Sequence, residues 1–321
     1  MLADAQSLPF PNFFLVGAPK AGTTALYRYL DQHPAIYMSP IKEPHFFADE
    51  VRLENFADDF RGMAEARLPA LREYLAGEVR EKFSGGPIAD WADYLKLFQC
   101  VRGETAIGEA SVCCLWSETA ARNIHAQFPH AKILMMLRNP VERAFSQYAH
   151  MLTFAAAPVS FADHMDAALR STSTQMSELY PFLRFGLYAA QIERYFALFD
   201  RGQVNIHFYE DFCRAPLDVM QSIFAFLGVD AAFRPDLGHR HMEAKVPRSF
   251  WLKNALKKTG MWDVARSAAP EVLRRAAFKK RNAIRMTADD CARLANYYRE
   301  DIGKLSVLLG RDLSDWLHCD L

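Results

Sequence analysis

Short continuous apolar runs alternate along the chain with stretches of helical period, a pattern that predicts βαβ units around a mostly parallel sheet. Phe13-Phe14-Leu15-Val16 reads as a first strand buried on both faces. The turn Gly17-Ala18-Pro19-Lys20-Ala21-Gly22 follows, then a helix over about 23–32 and a short strand over 35–38. Residues from about 56 to 98 read as helical and loop-rich, with Pro69 and Gly85-Gly86 as breaks, and form an insertion over the sheet. A third strand over 106–109 leads into a helix reaching about Gln127. The clearest strand is Lys132-Ile133-Leu134-Met135-Met136-Leu137. Arg138 follows it, with Asn139 as N-cap and Pro140 at the first position of a helix running through Ser146 to about Leu152. A helix over about 187–199 feeds a strand over 204–208, and beyond Asp211 the pattern is helical, interrupted by a basic loop over about 239–249. The fold class expected is α/β: one doubly wound domain over 1–321 with a central parallel sheet, a helical insertion at about 48–105, and a basic loop with a helical tail at about 240–321.

Composition adds exclusions. The 321 residues are 51% hydrophobic and 24% charged, ordinary for a globular chain and against wholesale disorder. Lys+Arg and Asp+Glu are equal at 38 each, so no global field directs the chain to nucleic acid. Charge is uneven locally. Asp49, Glu50, Glu54, Asp58 and Asp59 make one stretch acidic, and Lys253, Lys257, Lys258, Arg274 and Arg275 begin a basic C-terminal third. Such clusters read as solvated helix faces, and the basic one alternatively as a dock for an acidic glycan or acidic carrier protein. The N-terminus lacks the features of a signal peptide, and no apolar stretch approaches the ~18 residues of a membrane span. The six cysteines show neither CxxC nor paired spacing, which predicts a reduced, cytoplasmic protein without zinc site or disulfide framework.

The turn at Gly17–Thr24 carries the chemistry. A glycine-rich turn between a buried strand and a helix start presents inward-facing N–H groups and the positive end of a helix dipole, a cradle for phosphate. Gly17 and Gly22 keep the spacing of the nucleoside triphosphatase loop GxxxxGK[ST], but Thr23 stands where that loop needs lysine, and the lysine comes earlier, at Lys20. That loop also needs an acidic magnesium ligand at the end of a neighbouring strand. The strand over 132–137 ends in Arg138 instead, which repels a metal ion and attracts a second anion. The pattern predicts a nucleotide with a short 5′ anionic group and a second phosphate elsewhere, and no metal. Arg138 and the Ser146 hydroxyl read as a clamp for that phosphate, or else as part of a surface helix whose arginine pairs with Glu142 or a neighbour.

These residues resemble the sulfotransferases that use 3′-phosphoadenosine 5′-phosphosulfate (PAPS). Pro19-Lys20-Ala21-Gly22-Thr23-Thr24-Ala25-Leu26 is similar to that family's 5′-phosphosulfate loop, often PKSGTT or KxGTTAL, and residues 138–148 are similar to its 3′-phosphate motif RxPxxRxxSxY. Weaker likeness runs through Gly108-Glu109-Ala110-Ser111, Gly186-Leu187-Tyr188, Phe208-Tyr209-Glu210-Asp211 and Phe226-Leu227-Gly228, so that the resemblance covers roughly residues 12 to 230. Lys42-Glu43-Pro44-His45-Phe46-Phe47 looks like the KExHFF segment of the branch that includes heparan sulfate sulfotransferases. The chain departs from that branch at Ala110, where those enzymes carry lysine. Their C-terminal disulfide and Lys-Gly-Arg loop have no clean counterpart, the nearest substitute being Lys245-Val246-Pro247-Arg248-Ser249.

The resemblance implies transfer of a sulfuryl group from PAPS to a hydroxyl, with adenosine 3′,5′-bisphosphate (PAP) as product. Lys20 is expected to meet charge on the leaving phosphate, with Ala21, Gly22, Thr23 and Thr24 around it. Glu43 takes the base role, ideally with its pKa raised by partial burial, His45 supports it, and His150 is a rival base. Tyr209 is either an adenine contact or a core residue, Tyr188 a weaker candidate of the same kind, and Lys245 and Arg248 lie on a loop expected to close over the 3′-phosphate. The acceptor is a glycan, lipid, carrier-bound or small-molecule alcohol, with the insertion on its side of the site. The competing classes are a nucleotide kinase, which needs the missing lysine and magnesium ligand, and a non-catalytic nucleotide-binding protein, which has no use for a base.

Overall fold

Five short strands lie side by side as one parallel sheet. The computed structural model describes residues 9–84, 86–152, 159–238, 245–247, 278–280 and 285–318. It divides the chain into two compact units, 1–139 with 173–239, and 140–172 with 240–321. In the first unit β1 (Phe13–Gly17) is buried along its whole length and runs into α1 (Thr23–Leu30), which returns the chain to β2 (Ile36–Met38). Leu26, Tyr27 and Leu30 form the buried stripe of α1, and such side chains contribute about 1.5–3 kcal/mol each. A two-residue strand, β3 (Ile41–Lys42), pairs in parallel with β4 (Phe83–Ser84) from the insertion. Between them lie α2 (Asp58–Glu65) and α3 (Leu68–Ala76), and α4 (Trp91–Lys96) leads to β5 (Ala106–Ala110).

After β5 come α5 (Cys113–Trp116), α6 (Ala120–Gln127) and β6 (Lys132–Leu137). The sheet order is β2-β5-β1-β6 and then β7 (Val204–Phe208), all parallel. β7 alternates apolar and polar residues, as suits an edge strand with one solvated face. From β1 the chain builds outward to one side through β2 and β5, then to the other through β6 and β7. The switch of direction therefore falls at β1, where α/β sheets bind ligands at the carboxyl ends of their strands.

The second unit contains α7 (Pro140–Met151) and α8 (Phe161–Arg170). The first unit resumes with α9 (Tyr188–Phe196), α10 (Tyr209–Arg214) and α11 (Pro216–Leu227). Within the second unit β8 (Lys245–Pro247) pairs antiparallel with β9 (Phe278–Lys280), and α12 (Ala288–Leu309) packs on α7. A Thr287–Asp290 capping box starts α12 and Gly310, at φ 61°, ends it.

The five strands, the insertion and the C-terminal helix match the sequence reading; four details correct it. Pro69 sits in the first turn of α3, where its missing N–H costs nothing, so it opens a helix. The helix expected to reach Gln127 is broken at Ser117, whose Oγ accepts the amides of Thr119 and Ala120. The β3–β4 pair went unforeseen because two residues carry no period. Cys291 is disulfide-bonded, whereas Cys100, Cys113, Cys114 and Cys213 are free. Gly85, Arg248 and most of the basic C-terminal run lie outside the described residues.

Where β5 passes β1, Gly108 leaves no room for a side chain: a Cβ there would stand 2.1 Å from Cζ of Phe13. Gly108→Ala must push that ring or split the strands, at a cost of roughly 1–3 kcal/mol. The urea midpoint of the variant is expected to fall accordingly; an unchanged midpoint would show that the β1–β5 contact is loose.

Candidate active site

Lys20 to Thr24, Glu43, His45, Arg138 and Tyr209 stand at the carboxyl ends of the first unit's strands. β1 leaves the sheet at Gly17, where a Cβ would lie 2.5 Å from Cβ of Leu115, and the Ala18 amide is donated across to Met136 O at 2.7 Å. Lys20 then takes φ 66° and Gly22 φ 81°. Gly22 is the N-cap of α1 without a side-chain cap, and the first turn holds no acidic residue. The amides of Thr23 and Thr24 thus open the helix with an undiminished positive end. Gly22 is required on two counts: its left-handed backbone, and a Tyr209 ring 2.9 Å from where a Cβ would be.

Arg138 ties this loop to the next two strands. Its Nη1 donates to Lys20 O at 3.2 Å and its guanidinium lies 4.6 Å from the centre of the Tyr209 ring. Tyr188 OH donates to Arg138 O at 3.0 Å, and the Asn139 amide donates to Glu210 Oε1 at 2.9 Å. Tyr209 therefore meets Gly22 and Arg138 together, and Tyr188, fully buried, braces the arginine's backbone.

Glu43 and His45 form a second cluster at the end of β3, where both take positive φ, 68° and 55°. The end of strand β5 and the two residues after it serve as their template. The Glu43 amide donates to Ala110 O at 2.8 Å, the Val112 amide to Glu43 Oε2 at 2.8 Å, and the His45 amide to Ser111 Oγ at 2.9 Å. On the other side the insertion holds the same segment, Phe83 N donating to Pro40 O at 3.1 Å and Ile88 N to Pro44 O at 2.9 Å. The two clusters are neighbours through β5 and β1, since Ser111 N donates to Leu15 O at 3.2 Å.

The electrostatics of Glu43 differ from the sequence expectation of a raised pKa. Burial does push its carboxyl up, but Lys42 Nζ against Oε1, His45 and the Val112 amide together hold it below the usual carboxylate range. Burial drives His45 down, against the pull of Glu43 3.8 Å from its Nδ1. The pair therefore stands at neutral pH as a carboxylate beside an uncharged imidazole whose buried Nδ1 has no hydrogen-bond partner. The Lys42 pairing is an alternative that the sequence itself offers for Glu43, whereas Val112 escaped sequence reasoning because its contact with Glu43 crosses 69 positions.

Ser146 lies in the second unit, 3% exposed on α7, one turn beyond the fully buried Arg143 on the same helix face. There Arg143 bonds Gln147 and Tyr298. His150, the rival base, is exposed near the end of α7. Lys245 is in β8, and Arg248 lies outside the described residues.

A family model described as "Sulfotransferase family" matches residues 11–234. Human carbohydrate sulfotransferase 15 is 28% identical over 255 residues, covering 68% of this chain and 44% of its own length. The mouse bifunctional heparan sulfate N-deacetylase/N-sulfotransferase 1 is 26% identical over 320 residues, covering 97% of this chain and 31% of its own length. The chain thus spans less than half of either curated relative. A crystal structure of a sulfotransferase from Alicyclobacillus acidocaldarius superposes with a TM-score of 0.71 at 32% identity, covering 97% of this chain and all of that one.

The Lys42 contact yields a titration test. In Lys42→Met burial acts on Glu43 with less opposition, so its carboxyl is expected to titrate higher than in the wild type, by carbon-13 NMR. The ionised Glu43 stabilises the fold above the ordinary glutamate pKa of about 4.3, and that contribution is lost as pH falls through its lower folded value. The stability gap between wild type and variant should therefore be open at pH 7 and close on acidification. An unmoved Glu43 titration would remove Lys42 as the cause.

Proposed function

The chain belongs to the sulfotransferase family, and on that basis we propose that it transfers the sulfuryl group of PAPS to a hydroxyl acceptor, with Glu43 as general base. One observation carries the residue assignment. Among the described residues the non-glycine positions with positive φ are Lys20, Glu43 and His45, the three residues that sequence resemblance assigns to catalysis. Left-handed backbone costs such residues energy and persists where the surroundings enforce it, most often at reacting sites.

The chemistry is an in-line displacement at sulfur. The acceptor oxygen forms a bond to sulfur while the bond from sulfur to the bridging oxygen of the 5′-phosphate breaks, leaving its electron pair on that phosphate. Positioning and electrostatics dominate such a loose transition state. Lys20 neutralises the charge that grows on the leaving oxygen, and the amides opening α1 at Thr23 and Thr24, with Ala21 and Gly22, hold the 5′-phosphate. Arg138 receives the 3′-phosphate, a role its place over Tyr209 and against the loop carbonyl supports. Ser146 is assigned to the same phosphate by the family motif alone. Glu43, a carboxylate at neutral pH, accepts the acceptor's proton, with uncharged His45 beside it in the supporting role that the resemblance implies. The names of the relatives favour a carbohydrate acceptor, a sugar hydroxyl or amine.

Thermal shift with PAP against ATP–magnesium tests the donor: PAP at 100 times its Kd is expected to stabilise the fold by about 2.7 kcal/mol. Stabilisation by ATP–magnesium alone would make the protein a kinase-like nucleotide binder. Labelled PAPS offered with desulfated heparan and chondroitin chains, a long-chain alcohol and a simple phenol should pass label to the carbohydrates; no transfer to any of them would leave only a binding protein. With the labelled acceptor, Lys20→Ala is expected to abolish turnover. Glu43→Gln should lower kcat by roughly 10²–10⁴ with PAP affinity intact, and Arg138→Ala should weaken PAP binding. An Arg138→Ala protein with wild-type PAP affinity would remove the 3′-phosphate assignment.

A further inference from the structure

Glu109, on β5, is 1% exposed and has no part in the chemistry above. Its Oε2 accepts Tyr94 OH at 3.2 Å, and its carboxyl also bonds the Ser111 hydroxyl. Glu43 acts on it as a like charge, and Cys114 and Tyr195, from α5 and α9, feel its charge in turn. None of these neighbours carries positive charge. Removing a carboxylate from water without a cation costs several kcal/mol, so an apolar residue at this strand position would serve the core better. What the carboxylate does is fix Ser111. Ser111 has one hydroxyl proton; given to Glu109, it leaves the oxygen lone pairs for the His45 amide, which donates to Ser111 Oγ at 2.9 Å. That is the middle one of three bonds by which residues 110–112 hold the Glu43–His45 turn.

We propose that Glu109 is a positioning residue: through Ser111 it holds the backbone of the Glu43–His45 turn in the conformation that presents the base. The inference rests on the reading of Glu43 as base, and it adds a pH dependence to that reading. Burial, helped by Glu43, pushes Glu109 up to about 7 against the two hydroxyls that bond it. Above that pH it is a carboxylate and takes both hydroxyl protons. Below it the carboxyl carries its own proton, gives up one of those bonds, and the brace loosens. Activity is therefore expected to fall as pH drops through about 7.

The test compares Glu109→Gln, Ser111→Ala and their double variant with Glu43→Gln, all in the full chain. Three readouts are needed: PAP affinity, turnover of labelled PAPS with desulfated heparan, and hydrogen exchange of the peptide spanning 41–48. Glu109→Gln and Ser111→Ala are each expected to lower kcat by about 10–100-fold, as a displaced catalytic group does. PAP affinity should stay within about twofold, exchange over 41–48 should rise, and the double variant should be no worse than the poorer single, as for residues acting in series. The acid limb near pH 7 should vanish in Glu109→Gln. Wild-type turnover and exchange in both single variants would overturn the brace, while a crippled Glu43→Gln would still uphold the base. Conversely, an active Glu43→Gln would remove the base, and the exchange data would still judge the brace. If Glu109→Gln fails to fold, Ser111→Ala with rescue by Ser111→Thr decides it: rescue of both kcat and exchange supports the brace, and no loss in Ser111→Ala overturns it.

Discussion

Three side-chain-bearing residues held in left-handed backbone set the terms for the rest of the first unit. Lys20, Glu43 and His45 each pay on the order of 1–3 kcal/mol for that conformation, against a net stability of about 5–15 kcal/mol for a whole domain. Such turns survive only when the surroundings over-determine them. At Lys20 the constraint is the exit of β1 between β5 and β6, fixed by Gly17 against Leu115, Ala18 against Met136 and the arginine at its carbonyl. At Glu43 and His45 it is a clamp, with residues 110–112 on one side and the β3–β4 pair on the other. The insertion is thus part of the scaffold of the candidate site: without residues 83–88 the Glu43 segment would be held from one side only.

The same strand ends concentrate positive charge. Lys20, Arg138 and the opening amides of α1 follow β1 and β6 of the five-stranded parallel sheet, and Lys42 ends β3 of the separate two-stranded sheet. Glu43 and Glu109 are two carboxylates set among or beneath these groups. They divide the work by environment: Lys42 keeps Glu43 ionised, while Glu109, without a cation, is raised toward neutrality. Two glutamates of one small region thereby titrate far apart, the arrangement by which sites assign separate tasks to like groups.

The parts of this arrangement legible in the sequence are those written as local pattern. β1 and β6 are apolar runs bounded by turns, and the β1 loop reads from two glycines and one displaced lysine. Arg138 reads from its place just after a strand, and Glu43 from a six-residue resemblance. Much of what is illegible joins residues distant in the chain. Ser111 meets His45 across 66 positions and Val112 meets Glu43 across 69. The depressed pKa of Glu43 depends on which way the Lys42 side chain turns, and the raised one of Glu109 on burial that no strand pattern distinguishes from an outward position. The disulfide at Cys291 was equally invisible, since cysteine spacing carries no signal when pairing is not part of a dense framework.

A carboxylate held below its ordinary pKa is a weak base, which sits awkwardly with abstraction of a proton from an alcohol unless the order of events is considered. In a loose transition state the bond from sulfur to the leaving oxygen is largely broken before the acceptor oxygen has bonded strongly. The acceptor hydroxyl is then still nearly neutral, and its proton becomes acidic only as the new S–O bond completes. A base in that setting needs position and a permanent charge more than proton affinity. Lys42 supplies the charge state by keeping Glu43 ionised, and the Val112 amide anchors Oε2. Lys42 also occupies Oε1, so binding the acceptor must either displace that ammonium or share the carboxylate with it. In the reaction proposed for Glu43, the left-handed turn is what makes a weak base sufficient, because it fixes the carboxylate's position.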